Sequence, residues 1–249
     1  MTSSIVDSDT WIRRFHPAPA APVRLVCFPH AGGSASFYFP VARALSPGID
    51  VLAVQYPGRQ DRRADPNVGD IHDLADLVAE AVRGWTDKPL AFFGHSLGAV
   101  LAYEVALRLE ASGDATLVRL FASGRRAPSR YRNEGVHKRS DSGVIAELQA
   151  LSGTDAAVLG DPEILRMILP AIRSDYRAIE TYQHDPTRGL SAPITAFTGD
   201  DDPKTSLEEA LAWSGHTSGA FELQVFPGGH FFVSSQAPKV LAAITEQLG

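Results

Sequence analysis

The chain has 249 residues, of which 44% are apolar and 21% charged, with a mean hydropathy of -0.07. This is the make-up of an ordinary globular protein and excludes collagen-like, disordered and membrane-embedded classes. A net charge of -6 argues against sequence-independent nucleic-acid binding, which rests on a basic surface. A single cysteine, Cys27, excludes an intrachain disulfide and a cysteine-built zinc site. No run approaches the ~18–20 apolar residues of a membrane helix. The opening MTSSIVDSDTWIRRF has no basic stretch leading into an apolar one, so neither a signal peptide nor a membrane partner is expected, and a cytoplasmic protein is.

In chain order, the proline-rich HPAPAAP at 16–22 reads as a stiff lead-in. Short β-branched or aromatic runs follow at 23–28, 51–56, 90–94, 117–123, 194–199 and 221–226. Most are almost continuously apolar, as strands covered on both faces are. Between them, apolar residues recur at helical spacing in 70–85 (Ile71, Leu74, Leu77, Val78, Ala81, Val82), 97–111, 206–214 and 236–248. This alternation predicts one α/β domain over 1–249 with a mainly parallel, doubly wound sheet. Residues 125–190 interrupt it. A polar, basic stretch is followed by helical patterns at 143–151 and 162–182, with Asp161-Pro162-Glu163 as a helix start and Pro170 expected to kink or divide the second helix. One face of that helix is apolar, through Leu165, Ile168, Leu169, Ile172, Tyr176 and Ile179.

Gly94-His95-Ser96-Leu97-Gly98 stands between a strand and a helix, the context of a nucleophile elbow. That turn lifts a serine above the sheet, and the helix start beyond it offers N–H groups to an oxyanion. Serine needs a base, and the base an orienting acid. His230, in a glycine-flanked loop after the last strand, is the candidate base. The acid belongs after the strand ITAFTG, where Asp200, Asp201 and Asp202 are all candidates. Pro203 favours an extended conformation at Asp202 and gives it a slight lead. The small residues of FPHAGGSASFY allow the Ala31 N–H to face a reacting carbonyl oxygen, with the Leu97 N–H as second donor. Cys27 reads as a buried strand residue and His95 as a packing residue. The remaining histidines show no metal-ligand spacing, so no metal is expected.

Taken together, FPHAGGSASFY, QYPGRQDR (55–62), GHSLGA, SGRRAP (123–128), LPAIRSDY (169–176), TGDDDP and FPGGHFF resemble the type II thioesterases of polyketide and nonribosomal peptide synthesis over about 25–249. The family often carries tyrosine where His30 stands. The resemblance implies an α/β-hydrolase fold, a Ser96–His230–Asp202 triad and a lid formed by 125–190. It favours Asp202 through the pattern that aligns Gly199 with that residue. It also implies hydrolysis of acyl thioesters from the phosphopantetheine arm of an acyl or peptidyl carrier protein, by a monomer without a cofactor. A carboxylesterase or lipase of the same fold is the alternative. Between Gly124 and Ser140 six basic side chains face one acid, Glu134, and that run is a candidate dock for an acidic carrier domain.

Overall fold

The computed structural model describes residues 7–151 and 160–249. The strands are β1 (Ile12–Arg13), β2 (Arg24–Phe28), β3 (Asp50–Val54), β4 (Leu90–His95), β5 (Leu117–Ser123), β6 (Ile194–Gly199) and β7 (Phe221–Phe226). They form one sheet in the order β1-β3-β2-β4-β5-β6-β7, parallel throughout except for the antiparallel β1–β3 edge pair. The six longer strands lie where the apolar runs predict them. The two-residue β1 was not anticipated. It lies inside TWIRRF, too short to show any alternation.

The helices are α1 (Ser8–Trp11), α2 (Phe39–Leu45), α3 (Ile71–Arg83), α4 (Leu97–Ser112), α5 (Asp141–Leu151), α6 (Pro162–Thr181), α7 (Leu207–Leu211), α8 (Phe232–Ser235) and α9 (Ala237–Leu248). α3 and α4 cover one face of the sheet, α2 and α9 the other, giving two apolar cores with the sheet between them. α3 starts where Asp70 accepts the N–H groups of His72 and Asp73, and it buries the predicted stripe from Ile71 to Val82. α4, expected to be amphipathic, is buried on nearly every side. It is enclosed by the sheet, α3 and α6, so no polar face is required.

α6 is one helix through Pro170, so the expected division into two helices does not occur. Both Pro170 and Arg166, whose carbonyl loses its helical donor, are exposed, so the lost bond lies on the solvent side of the helix, where its cost is small. Asp161 caps α6 by accepting from Glu163 and Ile164. The apolar face of α6 meets α5 and Val136 in a third, smaller core of Val136, Val144, Leu148, Leu169, Ile172 and Tyr176. This layer lies over the C-terminal end of the sheet.

The sheet and α4 meet backbone to backbone. A Cβ on Gly98 would stand 2.1 Å from the Phe28 carbonyl oxygen, and one on Gly94 would stand 2.1 Å from the Gly98 oxygen. Gly98→Ala is therefore expected to cost more than about 3 kcal/mol in chemical denaturation, through overpacking against backbone that cannot yield. Gly215→Ala, where an added Cβ meets nothing within 4 Å, is expected to stay near wild type.

Candidate active site

Ser96 occupies the turn between β4 and α4 with φ 56° and ψ -118°, a strained conformation for a residue with a side chain. The turn is held from outside, because the Ser96 N–H donates to the Ser123 carbonyl at 2.8 Å. Two further strand ends bring up its partners. His230, on the turn after β7, places Nε2 3.1 Å from Ser96 Oγ. Its Nδ1 lies 3.0 Å from each carboxylate oxygen of Asp202, which follows β6. The His230 and Asp202 side chains are almost fully buried.

The run of three aspartates divides by geometry. Asp202 meets the imidazole and also accepts the Lys204 N–H at 2.8 Å. Asp200 is exposed and accepts the Gly228 N–H at 2.8 Å, so it shapes the turn that carries His230. Asp201 is exposed. The structure thus brings Asp202, and neither of its neighbours, to His230.

Above Ser96 is a pocket of only about 20 Å³, bounded by Ala31, Leu148, Tyr176 and Phe231 among others. That is room for about one water molecule. Neither the Ala31 nor the Leu97 N–H is engaged in a turn or capping bond among the described residues, and Ala31 borders this pocket. Leu148 of α5 and Tyr176 of α6 close it from above. The apolar face of α6 therefore both packs its layer together and borders the serine.

The loop that carries Ala31 is fixed by a pair that the sequence did not single out. Asp175 of α6 accepts the Gly32 N–H at 2.8 Å and binds Arg59 through both oxygens, at 2.6 and 2.9 Å. Arg59 also donates to the Gly33 carbonyl at 3.1 Å and stacks over Tyr56. Both charges are nearly sealed from water, and the carboxylate holds the guanidinium protonated against the cost of burial. Arg59 and Asp175 lie in two of the motifs that carry the family resemblance, which was the only sequence signal for them.

Around His230 the neighbours are rings. His95 lies 5.2 Å from it, centroid to centroid, and His30 lies 6.1 Å from His95. His95 Nδ1 is 3.0 Å from Ser123 Oγ, so this residue packs and bonds locally as expected. Burial pushes His30 down to about 3 and His95 well below the usual imidazole range, with the charge on His230 adding to both effects. Cys27 is fully buried and its thiol is pushed up, as an inert strand residue requires.

The basic run at 125–139 is mostly spent internally. Arg126 pairs with Glu134 at 2.9 Å, Arg139 with Glu147 at 2.8 Å and Arg130 with Glu208 at 3.7 Å, and Arg132 with Glu209. Acids from distant parts of the chain thus neutralise most of the charge that the local sequence displays. Among the described residues no group of three or more His, Cys, Asp or Glu side chains is placed to hold a metal, and no helix is long and apolar enough to cross a membrane.

A nucleophile-elbow serine above a mainly parallel sheet, within reach of a histidine and an acid from later strand ends, defines the α/β-hydrolase class. A sequence model of the thioesterase domain matches residues 23–248. The probable cadicidin biosynthesis thioesterase of Streptomyces griseus is 55% identical over 238 residues, covering 96% of this chain and 66% of that protein. Thioesterase PikA5 of Streptomyces venezuelae is 50% identical over 98% of this chain and 87% of its own length. The structure of the type II thioesterase BorB, from the borrelidin biosynthetic cluster, superposes with a TM-score of 0.91 at 52% identity, covering 97% of this chain and 98% of that one. The chain belongs to the thioesterase family, a class of hydrolases acting on thioesters, and its near relatives are type II thioesterases of polyketide and nonribosomal peptide clusters.

Two measurements follow from the charges. Arg59→Met leaves Asp175 buried without its partner and is expected to cost about 3–5 kcal/mol, part of which Asp175→Leu added to it should restore. Urea denaturation of the single and double variants reads both values. The second concerns pH. His30 and His95 are held neutral in the fold, and burial likewise pushes His216 down to about 4. In the unfolded chain such rings titrate near ~6.5. Below that pH the unfolded state binds more protons, so stability should fall steadily as pH drops from about 6.5. Calorimetry at pH 7.5 and pH 5 checks it: an unchanged Tm would mean that the folded protein accepts these protons freely.

Proposed function

We propose that this protein hydrolyses acyl thioesters from the phosphopantetheine arm of acyl or peptidyl carrier proteins, through an acyl-enzyme on Ser96. The observation that carries the reading is the hydrogen-bonded row Ser96–His230–Asp202 beneath α5 and α6. His230 takes the Ser96 proton as Oγ attacks the thioester carbonyl. Asp202 holds the imidazole in orientation and stabilises the imidazolium. The Ala31 and Leu97 N–H groups receive the oxyanion, supported from below by the Gly32–Asp175–Arg59 contact. The sulfur leaves with little acid assistance, since a thiol has a pKa near ~8.5, and takes the proton from His230, which returns to its neutral form. Water, activated by the same histidine, then releases the acid.

A pocket of about 20 Å³ admits no acyl group, so the layer of α5 and α6 acts as a lid that must move for substrate to enter. The carrier-bound substrate is the reading favoured by the likeness to biosynthetic type II thioesterases. A cytoplasmic site of action fits the cytosolic synthases such a partner implies.

Ser96→Ala is expected to fold normally and to lose roughly a thousandfold or more in turnover. Asp202→Asn should lose roughly a hundredfold or more, while Asp200→Asn and Asp201→Asn stay within about tenfold of wild type. Mass spectrometry of a panel of acylated carrier proteins after incubation reads the activity directly. Oxygen esters hydrolysed faster than carrier thioesters of the same acyl group would instead establish the esterase reading.

A further inference from the structure

A cation without a counter-ion is costly wherever water cannot reach all of it, and one lies close to the serine. Arg125 stands two residues after Ser123, whose carbonyl accepts the Ser96 N–H. Its Nε is sealed from solvent with no hydrogen-bond partner. The nearby acids are already engaged. Glu134 binds Arg126 and Lys204, and Glu180 accepts from the N–H groups of Val136 and His137 and contacts the His137 ring. Among the described residues Arg125 forms no ion pair, in contrast to Arg126 beside it. Burial, with the Arg126 charge added, pushes Arg125 down to about 9, so it stays a cation at neutral pH.

Arg125 lines a cavity of about 510 Å³ between the segment after β5 and the C-terminal end of α6. That volume is within the ~300–1,000 Å³ range of small-molecule sites. Its wall includes residues of α4 and α6, the two helices that also contribute to the site. Val100, one turn along α4 from Leu97, is in its wall, and so is Ile179, one turn along α6 from Tyr176. Tyr176 itself borders the small pocket at Ser96 and is near enough to Arg125 to affect its charge.

We propose that this cavity takes the acyl chain and that Arg125 is a specificity-determining residue in it, donating to an oxygen carried by the chain. Oxygenated acyl groups are then preferred over plain alkyl groups of equal length. An apolar wall distinguishes such chains poorly, whereas a buried donor left unpaired penalises the chain that lacks an acceptor. The inference rests on the thioester-hydrolase reading above and deepens it.

The test uses N-acetylcysteamine thioesters of hexanoate, of its hydroxylated and keto analogues, and of adipate, with the wild-type chain, Arg125→Met and Arg125→Lys. In the wild type at least one oxygenated chain should exceed hexanoate about tenfold or more in kcat/KM. A preference for adipate alone identifies a carboxylate as the acceptor, and a preference for the keto or hydroxylated chain identifies a neutral oxygen. Arg125→Met should bring the ratio to within about twofold, and Arg125→Lys should keep part of it. Removing an unpaired buried charge should also leave the Tm of Arg125→Met at or above wild type. Equal rates for all chains in the wild type overturn the proposal, as does a ratio that survives Arg125→Met. A lower Tm with all substrates slowed alike would overturn it too, in favour of a structural role. Should the wild type turn over none of these thioesters, the hydrolase reading fails separately. Calorimetric binding of the same compounds to Ser96→Ala and to Ser96→Ala with Arg125→Met then decides the subsite: tighter binding of an oxygenated chain that depends on Arg125 upholds it, and equal binding overturns it.

Discussion

Strand β2 and helix α4 touch without side chains between them, and the geometry of the site depends on that contact. Gly98 approaches the carbonyl of Phe28 so closely that no Cβ fits. Phe28 ends β2, and the loop bearing Ala31 begins immediately after it. The contact therefore fixes the separation between the head of α4 and the loop after β2, the two places from which the proposed oxyanion donors come. The same turn is tied laterally by the bond from the Ser96 N–H to β5. A strained serine conformation costs of order 1–3 kcal/mol and persists only where its surroundings over-determine it. Here the surroundings are backbone on two sides.

The layer above the serine is held unequally. α6 is joined to the body by a buried charge pair and by the Gly32 N–H, and Ile172 packs where a Cβ on Gly32 would otherwise stand. α5 closes the pocket through Leu148, with apolar contacts to Val136 and Val144 and ion pairs from Glu147 to Arg139 and Lys204. Displacing α6 would strip a carboxylate and a guanidinium of each other in a place water barely reaches. α5 is held by apolar contacts and by two pairs from Glu147, a half-exposed one to Arg139 and a largely buried one to Lys204. Of the two helices, α6 carries the bond to the Gly32 N–H, so it is the one that anchors the loop bearing Ala31.

How much of this was legible in the sequence depended on the range of the interactions. β2, β3, β4 and β6 declare themselves because each is buried on both faces, β5 and β7 because they remain compact apolar or β-branched runs between turns, and the elbow because strand, glycines and helix are contiguous. Helix α2 escaped notice because Phe39–Leu45 is short, follows a 3-10 turn and opens with Pro40. Pro203 and the family pattern favoured Asp202, but the role of Asp200 was hidden, because the Gly228 N–H that occupies its carboxylate belongs to a turn 28 residues away. The same limit applies to charge. The basic run after Gly124 looks unbalanced because its acids, Glu147, Glu208 and Glu209, lie outside it. Arg59 and Asp175 are 116 residues apart, and no periodicity relates them.

The ring cluster around His230 shows how one cation can form among three imidazoles. A protonated His95 at 5.2 Å, with His30 behind it at 6.1 Å from His95, would oppose the imidazolium of the proposed mechanism. Burial removes the difficulty, because desolvation keeps His30 and His95 neutral well into acid. Neither ring has a carboxylate to offset that cost, whereas His230 has Asp202 at 3.0 Å. Of the three rings, His230 is the one that meets a carboxylate. That carboxylate is delivered by the turn after β6, which is where the aspartate run and its proline occur.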